Sequence, residues 1–296
     1  ELRQYAELFG VPEDEVRLSD VVVTLLLQPE HADQAERHFR AVFNGLKYYG
    51  LWYGRYPYET LTVVDPSNAG RFCGGMEYPT LFTGGTRWWP AAHAFSPEGV
   101  LVHEFGHQFW YGLVGNNEFE EAWLDEGLNS YSTVKVLATA YGQADSYQRL
   151  VGIPIPGFSW LTVRIPPYPL PPLLRIPLGG FFEQVKLDTR QEARIGYLYN
   201  AKSDQIARFA WEFLNPGSYS INSYGKASLM LLTLERYLGE QTMARLMRTY
   251  YQRYRFRHPN AQDFIATAEE VSGQQLEWFF DQFLYGVNVL DYAVTA

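Results

Sequence analysis

Two of the chain's six histidines lie four residues apart in the stretch VHEFGHQFW, Val102–Trp110, and a glutamate directly follows the first. On a helix, residues at i and i+4 share one face with Cβ atoms about 5–6 Å apart, so His103 and His107 can both turn a ring nitrogen toward one zinc at ~2.0–2.1 Å. Glu104 falls about 100° round the same helix, off the metal but beside a water that the metal would hold. Either histidine alone reads equally well as a hydrogen-bonded core residue. The joint H-E-x-x-H pattern points to metal chemistry.

A third ligand is available in EEAWLDEGLNSY, where Glu126 lies 19 positions after His107 on the next predicted helix, among Trp123, Leu124 and Leu128. Two histidines and one glutamate leave a fourth position open for water, as a catalytic zinc site requires and a structural site does not. Zinc lowers the pKa of its water from about 15.7 to about 7. Glu104 can then take that proton as general base and return it to a leaving amine. The chemistry expected is hydrolysis of an amide at one zinc per chain.

The elements that must position these residues are legible in the apolar spacing. Residues 31–54 place Phe39, Val42, Phe43, Leu46 and Tyr49 at helical intervals, predicting an amphipathic helix that ends at Gly50 or Gly54. VVVTLLL, Val21–Leu27, and LTVVDP, Leu61–Pro66, read as short buried strands, and GGMEYPTLF, Gly74–Phe82, as an extended piece. Strands are thus expected to dominate the first hundred residues. From Ser96 the period turns helical through HEFGHQFW to about Val114, and Glu121–Ala140 reads as a second helix. Residues 151–182 hold eight of the 17 prolines and break the pattern. Helical segments follow at Ser223–Tyr237, Gln241–Tyr254, NAQDFIATAEEVSG and QQLEWFFDQFLYG.

Composition excludes several classes. A hydrophobic content of 47% and an aromatic content of 17% describe a globular chain. The net charge of -9 provides no basic stripe, so no nucleic-acid partner is expected. No apolar run reaches the ~18–20 residues of a membrane span, so the chain reads as soluble. The single cysteine, Cys73, rules out an internal disulfide and reads as a small buried residue. His93 reads as a turn residue ahead of the active-site helix.

Taken together, these residues resemble the zinc aminopeptidases of the M1 class, gluzincins that include aminopeptidase N and leukotriene A4 hydrolase. HEFGH followed by Glu126 in the WLDEG context is similar to the family's HExxH-x18-E. GGMEY, Gly74–Tyr78, resembles the family's G-x-M-E-N exopeptidase motif, with Tyr78 where asparagine is usual. The resemblance implies that Glu77 binds the α-amine of the substrate and that Gly74, Gly75 and Met76 line the peptide. SYGKASLML, Ser223–Leu231, is similar to the family's Y-x-K-G segment, which gives Tyr224 the role of oxyanion donor. Glu121 falls where the family often has an acid, and Tyr219 is expected near Tyr224.

The resemblance implies an α+β fold: a thermolysin-like zincin catalytic domain, a mixed sheet with active-site helices, followed by a helical subdomain. It divides residues 1–296 into an α/β part to about 140, a Pro-rich insertion at about 141–200 and a helical part from about 201. The expected function is zinc-dependent removal of N-terminal residues from peptides with a free N-terminus. An endopeptidase or epoxide hydrolase on the same scaffold, or an inactive zinc-binding fragment, stands as the alternative. Additional domains of a longer parent protein are a further expectation of the resemblance.

Overall fold

The computed structural model describes residues 1–85, 96–142, 145–150, 153–155, 182–187, 193–194, 197–198 and 202–288. After a short N-terminal helix α1 (Leu2–Phe9), the apolar run at Val21 forms β1 (Val22–Leu26). The chain then crosses over through α2 (Ala35–Trp52) to β2 (Thr60–Val64), which pairs parallel with β1. A parallel pair needs such a crossover because its strand ends lie at opposite sides of the sheet. β3 (Met76–Tyr78) and β4 (Leu81–Thr83) form an antiparallel hairpin whose β4 adds parallel to β2. The order β1-β2-β4-β3 makes a small mixed sheet with the GGMEY segment on its edge.

Strands do not dominate this region, contrary to the sequence expectation: α2 alone has 18 residues, while β1 and β2 have five each. The apolar runs are real but short, and β1 is not the buried strand expected: none of its residues is buried, and Val22 and Leu26 are exposed, because as the outer strand it is paired on one side only.

Helix α3 (Ser96–Gly106) packs on α2. Its first turn is fastened by a bidentate pair in which Arg37 Nε and Nη2 donate to Glu98 Oε1 and Oε2, each at 2.7 Å. The helix stops sooner than its periodicity predicts, turning out after Gly106 through Tyr111 at φ 94. The predicted second helix is interrupted instead of continuous: α4 (Glu118–Ala122) leads into one π-helical turn, Trp123–Gly127, and then α5 (Leu128–Tyr141). β5 (Asp145–Leu150), β6 (Ile153–Ile155) and β7 (Phe182–Leu187) form an antiparallel sheet. Most of the Pro-rich segment, and His93, lie outside the described residues.

The second half is helical as expected. α6 (Pro216–Ser220) runs into a second π-helical turn, Ile221–Lys226, followed by α7 (Ala227–Leu238), α8 (Glu240–Tyr254), α9 (Ala261–Ser272) and α10 (Glu277–Phe283). Asn260 and Asp263 close a capping box at the start of α9. Among the described residues no helix is long and apolar enough to cross a membrane.

The two halves meet in an aromatic core. Tyr53 meets Trp110 edge-on at 4.8 Å, and Phe109 meets Tyr251 at 5.3 Å. Two of its polar tips are satisfied across the core: the Tyr49 hydroxyl donates to Asn129 Oδ1 at 2.8 Å, and Trp110 Nε1 donates to Ser132 Oγ at 2.9 Å.

Gly106 sits where α3 crosses α5, and a Cβ there would overlap both Asn129 Oδ1 and the Tyr49 hydroxyl. Replacing a helical glycine by alanine ordinarily gains up to about 1 kcal/mol. Here overpacking at two buried, mutually hydrogen-bonded groups costs about 1–3 kcal/mol or more and wins. Gly106→Ala is therefore expected to destabilise the fold, read as a lower denaturant midpoint with an unchanged slope.

Candidate active site

His103 lies near the end of α3, and His107 one residue beyond its last turn, still in α-helical register because its N–H donates to the His103 carbonyl at 3.3 Å. Their Nε2 atoms are 3.1 Å apart, with the rings at 90°. Glu126, from the first π turn, brings Oε2 to 3.1 Å from His103 Nε2 and 3.4 Å from His107 Nε2. A tetrahedral zinc with bonds of ~2.0–2.1 Å needs donor–donor edges of ~3.3–3.4 Å. The triangle of two imidazole nitrogens and one carboxylate oxygen is close to that size, and its donor chemistry suits zinc.

Asp125, which sequence reasoning passed over, holds this triangle in orientation. Its Oδ1 lies 2.5 Å from His107 Nδ1, so that nitrogen donates to the carboxylate and the ring is oriented with Nε2 toward His103 and Glu126. Burial opposes charge on His107, but Asp125 and Glu126 outweigh it and hold the ring well above the ordinary imidazole range. Burial also raises the Asp125 carboxyl, against the pull of His107. The signal available in the sequence was an acid adjacent to a candidate ligand within an apolar run. Asn129 supports the other ligand, donating from Nδ2 to the His103 carbonyl at 2.6 Å.

Glu104 is 6% exposed, and its Oε2 has no hydrogen-bond partner in the protein. Burial pushes its carboxyl up to about 7, reinforced by Glu77 and Glu126 and opposed by the two histidines. Its other oxygen, Oε1, lies 3.5 Å from where a Cβ on Gly75 would stand, and Gly75 has φ 70. Glycine at 75 thus answers both a left-handed backbone and a close approach.

The hairpin brings Glu77 to the same cluster. Ligand atoms of Glu77, Glu104 and His107 lie within 4.8 Å of one another, as do those of Glu77, Glu118 and Asp125. Glu118 is a second acid that sequence reasoning missed; burial raises its carboxyl first, and Glu77 adds to the rise. Gly74 is half-buried, while Gly75 and Met76 are exposed.

Tyr224 comes from the second π turn. Its hydroxyl donates to Glu126 Oε1, and its ring stacks on His103 at 5.7 Å and 22°. Burial and then Glu126 push its phenol up, so it stays a donor. Gly127 permits this approach, because a Cβ there would run into Ala227 Cβ and the Ser223 carbonyl. Tyr219 meets Tyr224 edge-on at 6.4 Å.

Two expectations fail. Cys73 is exposed, because it ends the short turn before the sheet-edge hairpin and faces away from the core. Glu121 serves the helical half: both its oxygens accept from Ala261 N–H, at 3.0 and 3.1 Å, at the start of α9. The other described histidines are occupied elsewhere, as His31 with Asp65 at 2.7 Å and His258 with the Gly115 carbonyl at 2.6 Å.

Residues 215–283 match the peptidase family M1 domain. Over that segment the chain is similar to the M1 peptidases. That match covers Tyr224 and the helical half, while HEFGH and Glu126 lie upstream of it. Aminopeptidase N of Lactococcus lactis subsp. lactis is 20% identical over 188 residues, 62% of this chain and 18% of that M1 relative. Leucine aminopeptidase 2 of Sclerotinia sclerotiorum is 35% identical over 95 residues, 30% of this chain and 14% of that protein. The chain therefore spans less than a fifth of the length of either relative. Among solved structures, yeast LTA4 hydrolase in complex with bestatin aligns over 93% of this chain and 39% of its own, with a TM-score of 0.63 at 16% identity. An M1 zinc metallopeptidase from Deinococcus radiodurans, as its E323A mutant, aligns over 90% of this chain and 46% of its own at a TM-score of 0.54 and 16% identity. These likenesses match a helix-rich fold with a small mixed sheet.

Because Asp125 fixes the tautomer and angle of His107, Asp125→Asn is expected to weaken zinc binding about 10- to 100-fold. Competition against a chromogenic chelator reads this directly.

Proposed function

We propose that this chain is the catalytic domain of a zinc aminopeptidase that removes N-terminal residues from peptides with a free N-terminus. In this reading residues 1–296 form one thermolysin-like zincin domain, with a Pro-rich insertion at about 141–200 and a helical part from about 201. The observation that carries the proposal is the grouping of Glu77 with Glu104 and His107, with ligand atoms within 4.8 Å. It sets an acid suited to an ammonium group beside the acid suited to proton transfer.

His103, His107 and Glu126 would hold one zinc per chain. When bound, the metal supplies Lewis acidity to the scissile carbonyl and to water. Glu77 receives the α-ammonium of the substrate, and Gly74, Gly75 and Met76 line the adjoining backbone. An internal peptide bond would leave the Glu77 carboxylate without its cation, at a cost of about 1–3 kcal/mol or more.

Glu104 takes a proton from the attacking water as its oxygen bonds to the carbonyl carbon. The same carboxyl then delivers that proton to the departing nitrogen as the C–N bond breaks. Its unpartnered Oε2 leaves an acceptor available for this work. Tyr224 donates its hydroxyl hydrogen to the carbonyl oxygen as negative charge develops there, a contact stronger in the transition state than in the ground state. The hydroxyl is already turned into the cluster by its bond to Glu126. Asp125 holds His107 Nδ1 and so orients Nε2 toward the position the metal would take.

Aminoacyl p-nitroanilides and their N-acetylated counterparts test the proposal. Zinc-dependent cleavage of the free-amine set alone is expected, with loss on chelation and recovery when zinc is restored. Equal cleavage of the acetylated set would point to an endopeptidase, and absence of cleavage with zinc bound to an inactive fragment. Glu104→Gln is expected to lower kcat by about 10²–10⁴ with zinc retained. Tyr224→Phe should lower kcat by about 10²–10³ with little change in KM.

A further inference from the structure

Helix α3 leads into a second contact with the edge hairpin, one residue beyond His107. Gln108 is 3% exposed, and both halves of its amide are used on the turn that joins β3 to β4. Its Oε1 accepts from Thr80 N–H at 2.8 Å, and its Nε2 donates to the Tyr78 carbonyl at 2.8 Å.

That turn is under local strain. The ladder pairs Tyr78 with Leu81, leaving Pro79 and Thr80 as a two-residue connection. Thr80 sits at φ 58, where a β-branched side chain is disfavoured and glycine is the usual occupant. β3 has only three residues and one neighbour, since it is the outer strand of the sheet. β4 is held independently by its parallel pairing with β2 and by Thr62 N–H donating to the Thr80 carbonyl at 2.9 Å. Without the clamp, β3 is therefore the part that moves, and the core stays in place. Glu77 is the residue directly before Tyr78.

We infer that Gln108 is a positioning residue: it locks the Glu77 strand to the helix of His103 and His107, and so sets the affinity of the site for a free amine. The inference rests on the aminopeptidase reading above, and it assigns to a neutral side chain a specificity that the charged residues alone do not secure. A cation pairs well with Glu77 only if the distance from that carboxylate to the reacting carbonyl stays constant, and Gln108 ties the hairpin directly to the segment that carries the two histidines.

Gln108→Met keeps the length and packing of the side chain and removes both amide bonds. For leucine p-nitroanilide, its KM is expected to rise roughly tenfold while kcat stays within about threefold. Zinc content is expected to be unchanged, and hydrogen exchange at the Thr80 amide to become faster. Thr80→Gly, which relieves the left-handed strain, is expected to recover part of the KM in the Gln108→Met background. Gln108→Glu keeps the acceptor for Thr80 N–H but loses the donor to Tyr78, and should fall between. It carries the same comparison if the methionine variant does not fold. An unchanged KM in a variant whose Thr80 amide exchanges faster would overturn the inference, as would a loss of kcat together with zinc. Failure of the aminopeptidase reading looks different: the unsubstituted chain would cleave N-acetyl-leucine p-nitroanilide as readily as the free amine.

Discussion

The buried pairing of Asp125 with His107 is the contact on which the rest of the site depends. Both side chains are almost completely removed from water, and a carboxylate so placed is costly unless its charge is met at close range. The 2.5 Å contact to Nδ1 meets that cost and at the same time decides which ring nitrogen is turned toward His103 and Glu126. The geometry of the His103, His107 and Glu126 triangle follows from that choice, because the same contact sets the angle of the His107 ring.

Backbone geometry delivers the other two contributors. Glu126 and Tyr224 both lie in single π-helical turns, and these turns pack against one another across Gly127. A π turn inserts one residue into a helix and rotates the side chains that follow, a device found frequently at functional sites. Here it lets two helices that each bury an apolar face also turn one polar residue into a shared cleft. The cost is a weaker local hydrogen-bond pattern, offset by burial of Trp123, Leu124, Leu128 and Ala227 around the turns.

The electrostatic character of the cleft comes from crowding. Glu77, Glu104, Glu118, Asp125 and Glu126 gather around two imidazoles, an excess of acid in a region of low solvent access. Burial raises Glu104 and Glu118, and their like-charged neighbours add to the rise, whereas the imidazoles hold Glu126 down. Carboxylates of one residue type thus acquire different proton affinities from their surroundings.

How much of this was legible in the sequence follows from the range of the interactions. The spacing of His103 and His107, the amphipathic run of α2, the strand at Val22 and the helical run of α9 all depend on contacts within a few residues, and local periodicity records such contacts. The termination of α3 at Gly106, the break of the second helix at Trp123, the exposure of Cys73 and the diversion of Glu121 to α9 depend on neighbours that a local pattern does not contain. Asp125 meets His107 across 18 positions, and Tyr224 meets Glu126 across 98. Sequence by itself determined which residues could do metal and acid–base chemistry, because residue type and helical spacing are local properties. Only the tertiary structure decided which of them meet, because burial and close packing select partners by position in space.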